Sequence, residues 1–275
     1  MTITNAATNA FILTGTGTNT ATWQSTNALA TQIGQQVSQS DFENTYCTGD
    51  DFIYAPPAGG TLDLLATAQG VYHVDFSGTG PSIIPTTAFN IGTAGSRAMG
   101  VIAINTGTDQ NSRATIYGGT DDFGAGYAAL SFVARSRFSF VMSSAQRWNT
   151  YYGFFNWPDL SGSPNDGIYL QTDYTVSTTN WVFRTRSNGA ATTVITGVAI
   201  SASAFQRLQV DVNAAGTSAT ATIDGVLAGT ITTNIPVGVN RYFTVGIKHQ
   251  KTMGNTASIA YVDYWKWCTT FTGGR

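Results

Sequence analysis

The chain has 275 residues, of which only 10% are charged and 42% are hydrophobic, and its formal net charge at pH 7 is −2. A chain of this length buries enough surface to fold without a metal or a disulfide, and its apolar content excludes an intrinsically disordered protein. Residues 1–96 contain six acids and no Lys or Arg, and the rest of the chain contains nine acids and 13 basic residues. This excess of positive charge is too small for a nucleic-acid-binding protein.

Residues 1–40 differ from the rest of the chain, because they are rich in Thr, Asn and Ala and carry no charge before Asp41. The sequence predicts a short helix within 22–37, with Ser25 or Thr26 as its N-cap, because apolar residues recur there at steps of three and four positions. The segment has too few apolar residues for a core of its own, so we expect an extended N-terminal arm over 1–40 and one folded domain over 41–275. The arm residues expected to contact neighbouring subunits or a capsid are Phe11, Ile12, Leu13 and Trp23.

The two cysteines, Cys47 and Cys268, lie near the two ends of the expected domain. The N-terminus lacks the features of a secretory signal, and no apolar run is long enough for a membrane span, so we expect a protein made in the cytoplasm with no membrane partner. Two free thiols are the expected state there, and a Cys47–Cys268 pair is the alternative if the first and last strands are neighbours. With His73 and His249 they lack the spacing of a zinc site, and the sequence predicts no metal and no cofactor. Calcium held by the adjacent pairs Asp50-Asp51 or Asp121-Asp122 is the alternative.

From about residue 50 onward, apolar and polar residues alternate with the two-residue period of β-strands. Over 130–142 the phenylalanines take one face and the arginines take the other, and 206–213 alternates in the same way. The run 258–267 is rich in aromatic and β-branched residues, as expected for a last strand. Many short strands without a convincing helix in this part predict an all-β fold, an antiparallel two-sheet sandwich.

The pair Asp224-Gly225 separates two short alternating runs, ATATI and VLAGTI. An Asp-Gly pair in this position is a strong signal for a tight β-hairpin, because both residues tolerate a positive φ. We therefore interpret Asp224 and Gly225 as turn-forming residues rather than as part of a catalytic or metal site.

The order of the elements carries a family resemblance. The series runs from GVYHVDFSGTGPSI and AMGVIAINTGTDQNSRATIYGG through YYGFFNWPDLSGSPNDGIYL, NWVFRTRSNGAATTVITGVAI and LQVDVNAAGTSATATIDGVLAGTITTNIP to YVDYWKW. It resembles the concanavalin A-like (lectin/glucanase, laminin G-like) β-sandwich domains of tailed-bacteriophage structural proteins, over about residues 50–268. The resemblance implies a two-sheet jelly roll located in the virion, self-associating as a homotrimer, with capsid or tail proteins as partners.

The glucanase branch of this fold hydrolyses glycans with paired carboxylates, and the sequence offers no such pair. Its single Glu, Glu43, precedes the sandwich, and most Asp residues stand in turn contexts, including Asp50-Asp51 and Asp121-Asp122. Only Asp211 and Asp263 are plausible mid-strand acids, and no spacing makes them face each other. No serine-nucleophile motif is present, and we expect His249 to be an ordinary strand or loop residue, so the sequence predicts a protein that is not an enzyme.

The stretch RWNTYYGFFNWP, residues 147–158, places aromatic side chains on both faces of one strand. Because only one face of a sandwich strand meets the core, the others are expected to contact another subunit, a covering loop or a sugar. The candidate interface or glycan-binding residues are Trp148, Tyr151, Tyr152, Trp157, Arg135 and Arg137.

Taken with the resemblance, these patterns predict a non-enzymatic virion structural protein. It would decorate or cement a capsid, or form part of a tail or head appendage, through oligomer contacts. The alternative is a carbohydrate-binding receptor-recognition module of a phage fibre, with a host surface glycan as its partner.

Overall fold

The computed structural model describes residues 11–16, 20–25, 45–50, 73–85, 101–156, 163–238 and 241–271. Within these ranges the chain forms 17 β-strands and no helix, and therefore no helix able to cross a membrane. The first two strands, β1 (Phe11–Thr16) and β2 (Thr20–Ser25), pair only with each other.

The other strands form two sheets. In spatial order, the seven-stranded sheet contains β12 (Ala190–Ala199), β11 (Ser177–Ser187), β10 (Gly167–Asp173), β9 (Arg147–Phe155), β16 (Phe243–Met253), β7 (Arg113–Phe123) and β4 (His73–Ser77). The eight-stranded sheet contains β15 (Val226–Ile231), β14 (Ala219–Ile223), β13 (Gln206–Val212), β8 (Ala128–Phe138), β17 (Ile259–Phe271), β6 (Ile102–Asn105) and β5 (Ser82–Pro85), and β3 (Thr45–Asp50) also pairs with β17. Because all pairings between these strands are antiparallel, the predicted two-sheet jelly-roll sandwich is confirmed.

The main core lies between the two sheets and is built by the alternation seen in the sequence. Along β8, Phe132 and Phe138 are buried, while Arg135 on the other face is exposed. Polar groups that enter this core are paired: the indole Nε1 of Trp181 donates to Oε1 of Gln206 at 2.9 Å. This pairing removes the cost that an unsatisfied buried donor would impose.

One local prediction from the sequence is wrong: Asp121 and Asp122, expected in a turn, lie within β7. Pairing with a neighbouring strand decides their conformation, which a weak local pattern does not report. The predicted helix stays a prediction, because its N-cap candidate Ser25 is the last residue of β2 and residues 26–37 lie outside the described residues.

The predicted hairpin turn at Asp224-Gly225 is confirmed. Both residues have positive φ, 52° and 82°, and they join β14 to β15. The carboxylate Oδ1 of Asp224 accepts the backbone N–H of Arg207 at 2.7 Å, so the side chain also ties the turn to β13. The turn and this hydrogen bond together account for the presence of Asp224.

The expectation of two free thiols is wrong, and the alternative holds: Cys47 and Cys268 form a disulfide. Cys47 lies on β3 directly opposite Cys268 on β17, with the Cα atoms 4.0 Å apart. The first strand of the sandwich and the last are thus neighbours, which the linear sequence alone does not establish.

Candidate functional site

The candidate site is the outer face of the seven-stranded sheet, the face that points away from the main core. Its central strands carry polar and aromatic residues at alternate positions, and the strand register aligns them in rows. One row runs across five strands through Asp75, Thr115, Lys248, Tyr151 and Gln171. Such a mixture of aromatic, charged and amide side chains is the chemistry of a polar binding surface.

Three aromatic residues form a separate cluster on this outer face: Tyr151 and Phe155 of β9 with Tyr169 of β10. The rings of Tyr151 and Tyr169 meet edge to face with centroids 5.2 Å apart. The Lys248 ammonium lies 5.1 Å from the Tyr151 centroid, within cation–π distance. All three aromatic side chains are at most 2% exposed, so the chain itself covers them.

Burial also changes the acidity of this cluster. Desolvation raises the pKa of the Tyr151 hydroxyl, while side-chain hydrogen bonds with Ser163 and Asn149 act in the opposite direction. Burial likewise raises the pKa of Tyr169. Both phenols therefore stay protonated near neutral pH, and neither can act there as a base.

Beside this cluster, Asp173 and Arg184 form a nearly buried ion pair with an N–O distance of 3.4 Å. The other Asp173 oxygen accepts the Thr175 hydroxyl at 2.6 Å, and Gln171 Nε2 donates to the carboxylate at 3.0 Å. The Arg184 Nε donates to the Thr193 hydroxyl at 3.0 Å. Because its oxygens are already bonded within the chain, Asp173 is a structural carboxylate rather than a free acid or base.

Buried oxygens without a hydrogen-bond partner on this outer face include Oγ1 of Thr115, Oε1 of Gln171 and Oγ1 of Thr244. Buried polar atoms normally have partners, and each one left without costs about 1–3 kcal/mol. Three such atoms on one face indicate positions where water or a ligand hydroxyl would be stabilised.

The structure separates the aromatic candidates that the sequence grouped together. Trp148 and Tyr152 lie in the main core, where the Tyr152 hydroxyl is 2.6 Å from Oγ of Ser136. These two residues reach no surface, so they cannot contact a glycan or another subunit in this structure. Tyr151 points to the outer face but is covered, and Trp157 lies outside the described residues.

The arginine candidates, Arg135 and Arg137, lie on the outer face of the other, eight-stranded sheet. Arg135 forms an ion pair with Asp263 at 2.7 Å, and Arg137 donates to the backbone oxygen of Ala202 at 2.7 Å. Both guanidinium groups also lie over the ring of Phe205, at 5.4 and 5.6 Å. The structure therefore does not bring these arginines together with Tyr151.

The carboxylates expected to matter for catalysis form ion pairs or hydrogen bonds with other groups of the chain. Asp75 and Asp166 form ion pairs with Arg113 and Arg241. Asp211, one of the two expected mid-strand acids, accepts the Ser131 hydroxyl at 2.6 Å, and the other, Asp263, pairs with Arg135. The described part of the chain holds no group of three or more His, Cys, Asp or Glu side chains arranged as metal ligands.

His249 lies on β16, in agreement with the strand or loop position expected for it, and its side chain is buried. Its Nδ1 lies 2.7 Å from the Thr150 hydroxyl, and its Nε2 lies 3.1 Å from the Ser258 hydroxyl. Burial lowers the pKa of the imidazole to about 3, so the ring is neutral at physiological pH. A fully buried imidazole has no access to a substrate.

Of the arm residues, Phe11, Ile12 and Leu13 belong to β1, and Trp23 belongs to β2. The backbone pairing places Leu13 opposite Trp23 within the hairpin. The contacts of these four side chains lie outside the described part of the structure.

Sequence reasoning missed Tyr169, Gln171 and Lys248 as members of the outer face. A signal for Lys248 is present in VGIKHQK, where Val245, Ile247 and His249 alternate with Gly, Lys and Gln. The pairing of β10 with β9 brings Tyr169 and Gln171 to the same face, and that pairing is a long-range property.

Comparison with solved structures places the fold. The chain is similar to a protein of unknown function, SO2946, from Shewanella oneidensis MR-1, with a TM-score of 0.58 at 16% identity over 94% of this chain and 99% of that one. It is also similar to an endo-1,3-beta-glucanase from Streptomyces sioyaensis, with a TM-score of 0.55 at 15% identity over 84% and 99%. The carbohydrate recognition domain of Emp47p matches with a TM-score of 0.50 at 13% identity over 85% and 99%. At these identities the similarity shows a shared concanavalin A-like fold.

No curated protein matches the chain in sequence. Residues 97–263 match the family described as SO2946-like, C-terminal domain, and this range covers more than half of the chain and most of both sheets. The chain therefore belongs to the SO2946-like C-terminal domain family.

Proposed function

We propose that this chain is a non-enzymatic structural protein of a bacteriophage virion. It decorates or cements the capsid, or forms part of a head or tail appendage, through contacts between subunits. The observation that carries this proposal is the closure of the outer face of the seven-stranded sheet. A binding groove needs accessible side chains, but Tyr151, Tyr169, Gln171 and Lys248 are at most 1% exposed.

The bonding of the carboxylates supports the non-enzymatic part of the proposal. Glycoside hydrolysis needs two carboxyl groups roughly 5–10 Å apart, free to exchange a proton and to reach the sugar. Asp173, Asp211 and Asp263 are instead bonded to Arg184, Ser131 and Arg135 within the folded chain. Recruiting any of them for catalysis would break an existing contact.

The apolar surface that remains exposed supports a role in assembly. Ile195, Val226 and Leu227 are more than half exposed on strands at the edges of the two sheets. Exposed aliphatic side chains on sheet edges are typical of surfaces that pair with another chain. The phage context is supported by the order of the sequence elements, which resembles structural proteins of tailed bacteriophages.

Immunoelectron microscopy of purified particles tests the proposal. Antibody raised against the full chain should label intact virions at a regular position on the head or the tail. In parallel, the purified chain should release no reducing ends and no unsaturated products from β-glucans or alginate. Unlabelled particles, or product release that an Asp→Asn substitution in the sandwich abolishes, would contradict the proposal.

A second candidate function is carbohydrate recognition by the outer face of the seven-stranded sheet. The unpartnered oxygens of Thr115, Gln171 and Thr244 favour it, because a sugar hydroxyl could satisfy them if the covering segments opened. The similarity to a domain named as a carbohydrate recognition domain is consistent with it. A glycan array with the purified chain tests this candidate. Binding that a folded Gln171→Met variant loses and a Tyr127→Ala variant keeps would favour recognition over the closed-face account.

A further inference from the structure

We propose that the β1–β2 hairpin of one copy of this chain docks against the open edge formed by β12 in a second copy. This inference rests on the proposed assembly role and deepens it by naming the two surfaces that meet. The partner is a segment of a second copy of this chain, residues 11–25, and its mode of binding is the addition of strands to a sheet edge.

The acceptor is the regular part of β12, residues 190–195, which precedes a bulge at Gly197. Strands β12 and β15 end the two sheets on the same side of the sandwich, close enough that a Cβ built on Gly229 would lie 3.1 Å from Val194 Cγ1. Neither AATTVITGVA nor VLAGTI contains a charged residue or a proline. Natural proteins use charges, prolines, β-bulges or short strands to block such edges, since an open edge invites another chain to pair. The bulge of β12 lies beyond Ile195 and leaves the pairing of 190–195 regular.

The opposite side of the sandwich shows the contrast. The edge strands there are β4, with five residues, and β5, with four residues ending in Pro85. These strands are short, and a proline lacks the N–H that edge pairing needs. β12, with ten residues, is therefore the long free edge among the described strands of the two sheets.

Exposed apolar side chains mark the same side. Ile195 on β12 is 52% exposed, and Val226 and Leu227 on β15 are 67% and 63% exposed. A hairpin paired with β12 would widen the seven-stranded sheet by two strands and remove apolar area from water next to β15. At about 25 cal/mol per Å² of apolar surface, such burial adds to the energy of the backbone hydrogen bonds.

The donor, the β1–β2 hairpin, also lacks a pairing partner within its own chain among the described strands. β1 and β2 form a sheet of two strands that joins neither sandwich sheet, and an isolated two-stranded hairpin is only marginally stable in water. Residues 11–25, FILTGTGTNTATWQS, are uncharged like the acceptor edge, so no charge opposes their pairing.

The geometry of the tether permits exchange between copies. β3 is fixed to β17 by backbone pairing and by the disulfide, and 19 residues separate the end of β2 from the start of β3. When extended, that many residues can span at most about 65 Å, enough to reach a neighbouring molecule. Because the donor and the acceptor are different surfaces, two copies can exchange hairpins reciprocally, or several copies can join head to tail in a ring such as a trimer where the rotation between them closes.

Two variants of the full chain and their mixture test this proposal. Ile195→Lys places a charge on the acceptor edge, and Thr22→Pro removes a backbone N–H from the hairpin. Val141→Lys is the matched control, because Val141 is exposed to the same extent, 54%, and lies outside both surfaces. Near-ultraviolet circular dichroism checks that each variant is folded, and Ala190→Lys, at an exposed position of the same strand, replaces Ile195→Lys if that variant fails to fold.

Mass measurement by light scattering gives the result. We expect an oligomer for the wild type and for Val141→Lys, and a single-chain mass for Ile195→Lys and for Thr22→Pro. The equimolar mixture of those two variants should form a dimer, since one supplies an intact hairpin and the other an intact edge. A monomeric wild type, a Thr22→Pro variant that stays oligomeric, or a mixture that stays monomeric would overturn the proposal. A monomeric chain that is still a fixed component of virions would overturn this inference alone and leave the proposed function standing.

Discussion

Cys47 and Cys268 lie directly opposite each other on β3 and β17, and a disulfide joins them across a sequence separation of 221 residues. A cross-link that closes so long a loop restricts the unfolded chain strongly, and removing a native disulfide typically costs about 2–5 kcal/mol. Cys268→Ser should therefore lower the free energy of unfolding by about this amount in urea titrations. The Cys47→Ser/Cys268→Ser double variant should match the single one, and reductant should destabilise only the wild type. Equal stability of the wild type with and without reductant would contradict the prediction.

The buried imidazole of His249 predicts a loss of stability in acid. Its pKa is about 3 in the folded chain and about 6.5 when unfolded, so the unfolded chain binds the proton more readily. Above pH 6.5 the imidazole is neutral in both states, and the free energy of unfolding does not depend on it. As the pH drops from 6.5 towards 3, the free energy of unfolding falls by about 1.4 kcal/mol for each pH unit, because only the unfolded chain takes up the proton. In His249→Gln this part of the slope should vanish. Parallel stability profiles for the two proteins between pH 6.5 and 4.5 would show that His249 is not the cause.

The turn residues Asp224 and Gly225 should respond differently to substitution. Asp224→Asn should change the unfolding free energy by less than about 0.5 kcal/mol, because Asn tolerates positive φ and its side-chain oxygen can still accept the Arg207 N–H. Gly225→Val should cost roughly 1–3 kcal/mol. No atom lies within 4 Å of a Cβ built on Gly225, so this cost is backbone strain rather than a clash. Thermal unfolding of both variants measures the difference, and a neutral Gly225→Val would contradict the turn assignment.

Tyr151 should behave as a core residue although it points away from the main core. Tyr151→Ala removes its contacts with Tyr169 and Lys248, and we expect a loss of about 3–5 kcal/mol. Tyr127→Ala is the control, because Tyr127 is 53% exposed and should be nearly neutral. Chemical unfolding of both variants gives the comparison. A fully stable Tyr151→Ala variant would mean that the outer face is open in solution.

The sequence predicts the parts of this fold that depend on neighbouring residues. Alternation along β8 and β13 correctly indicates which side chains enter the core, and Asp224-Gly225 correctly marks a hairpin. The Cys47–Cys268 bond requires β3 to lie beside β17, and that adjacency depends on the whole topology. The local sequence pattern therefore cannot decide between two free thiols and a disulfide.

The outer face shows a second limit of sequence reasoning. The stretch around Tyr151 predicts aromatic side chains on both faces of a strand, and the structure has them there. Whether the outward ring contacts solvent, a sugar or another part of the chain depends on segments distant in sequence. Tyr169 and Lys248 join Tyr151 only through the pairing of β9 with β10 and β16.

The copy number of this chain in purified virions tests the central claim most directly. Quantitative mass spectrometry of particles purified on a density gradient and washed in high salt measures the ratio of this chain to the major capsid protein. A structural role predicts a fixed ratio that is the same in independent preparations and persists through the wash. Recovery of the chain only in the soluble fraction of the lysate, with none in the particles, would contradict the account.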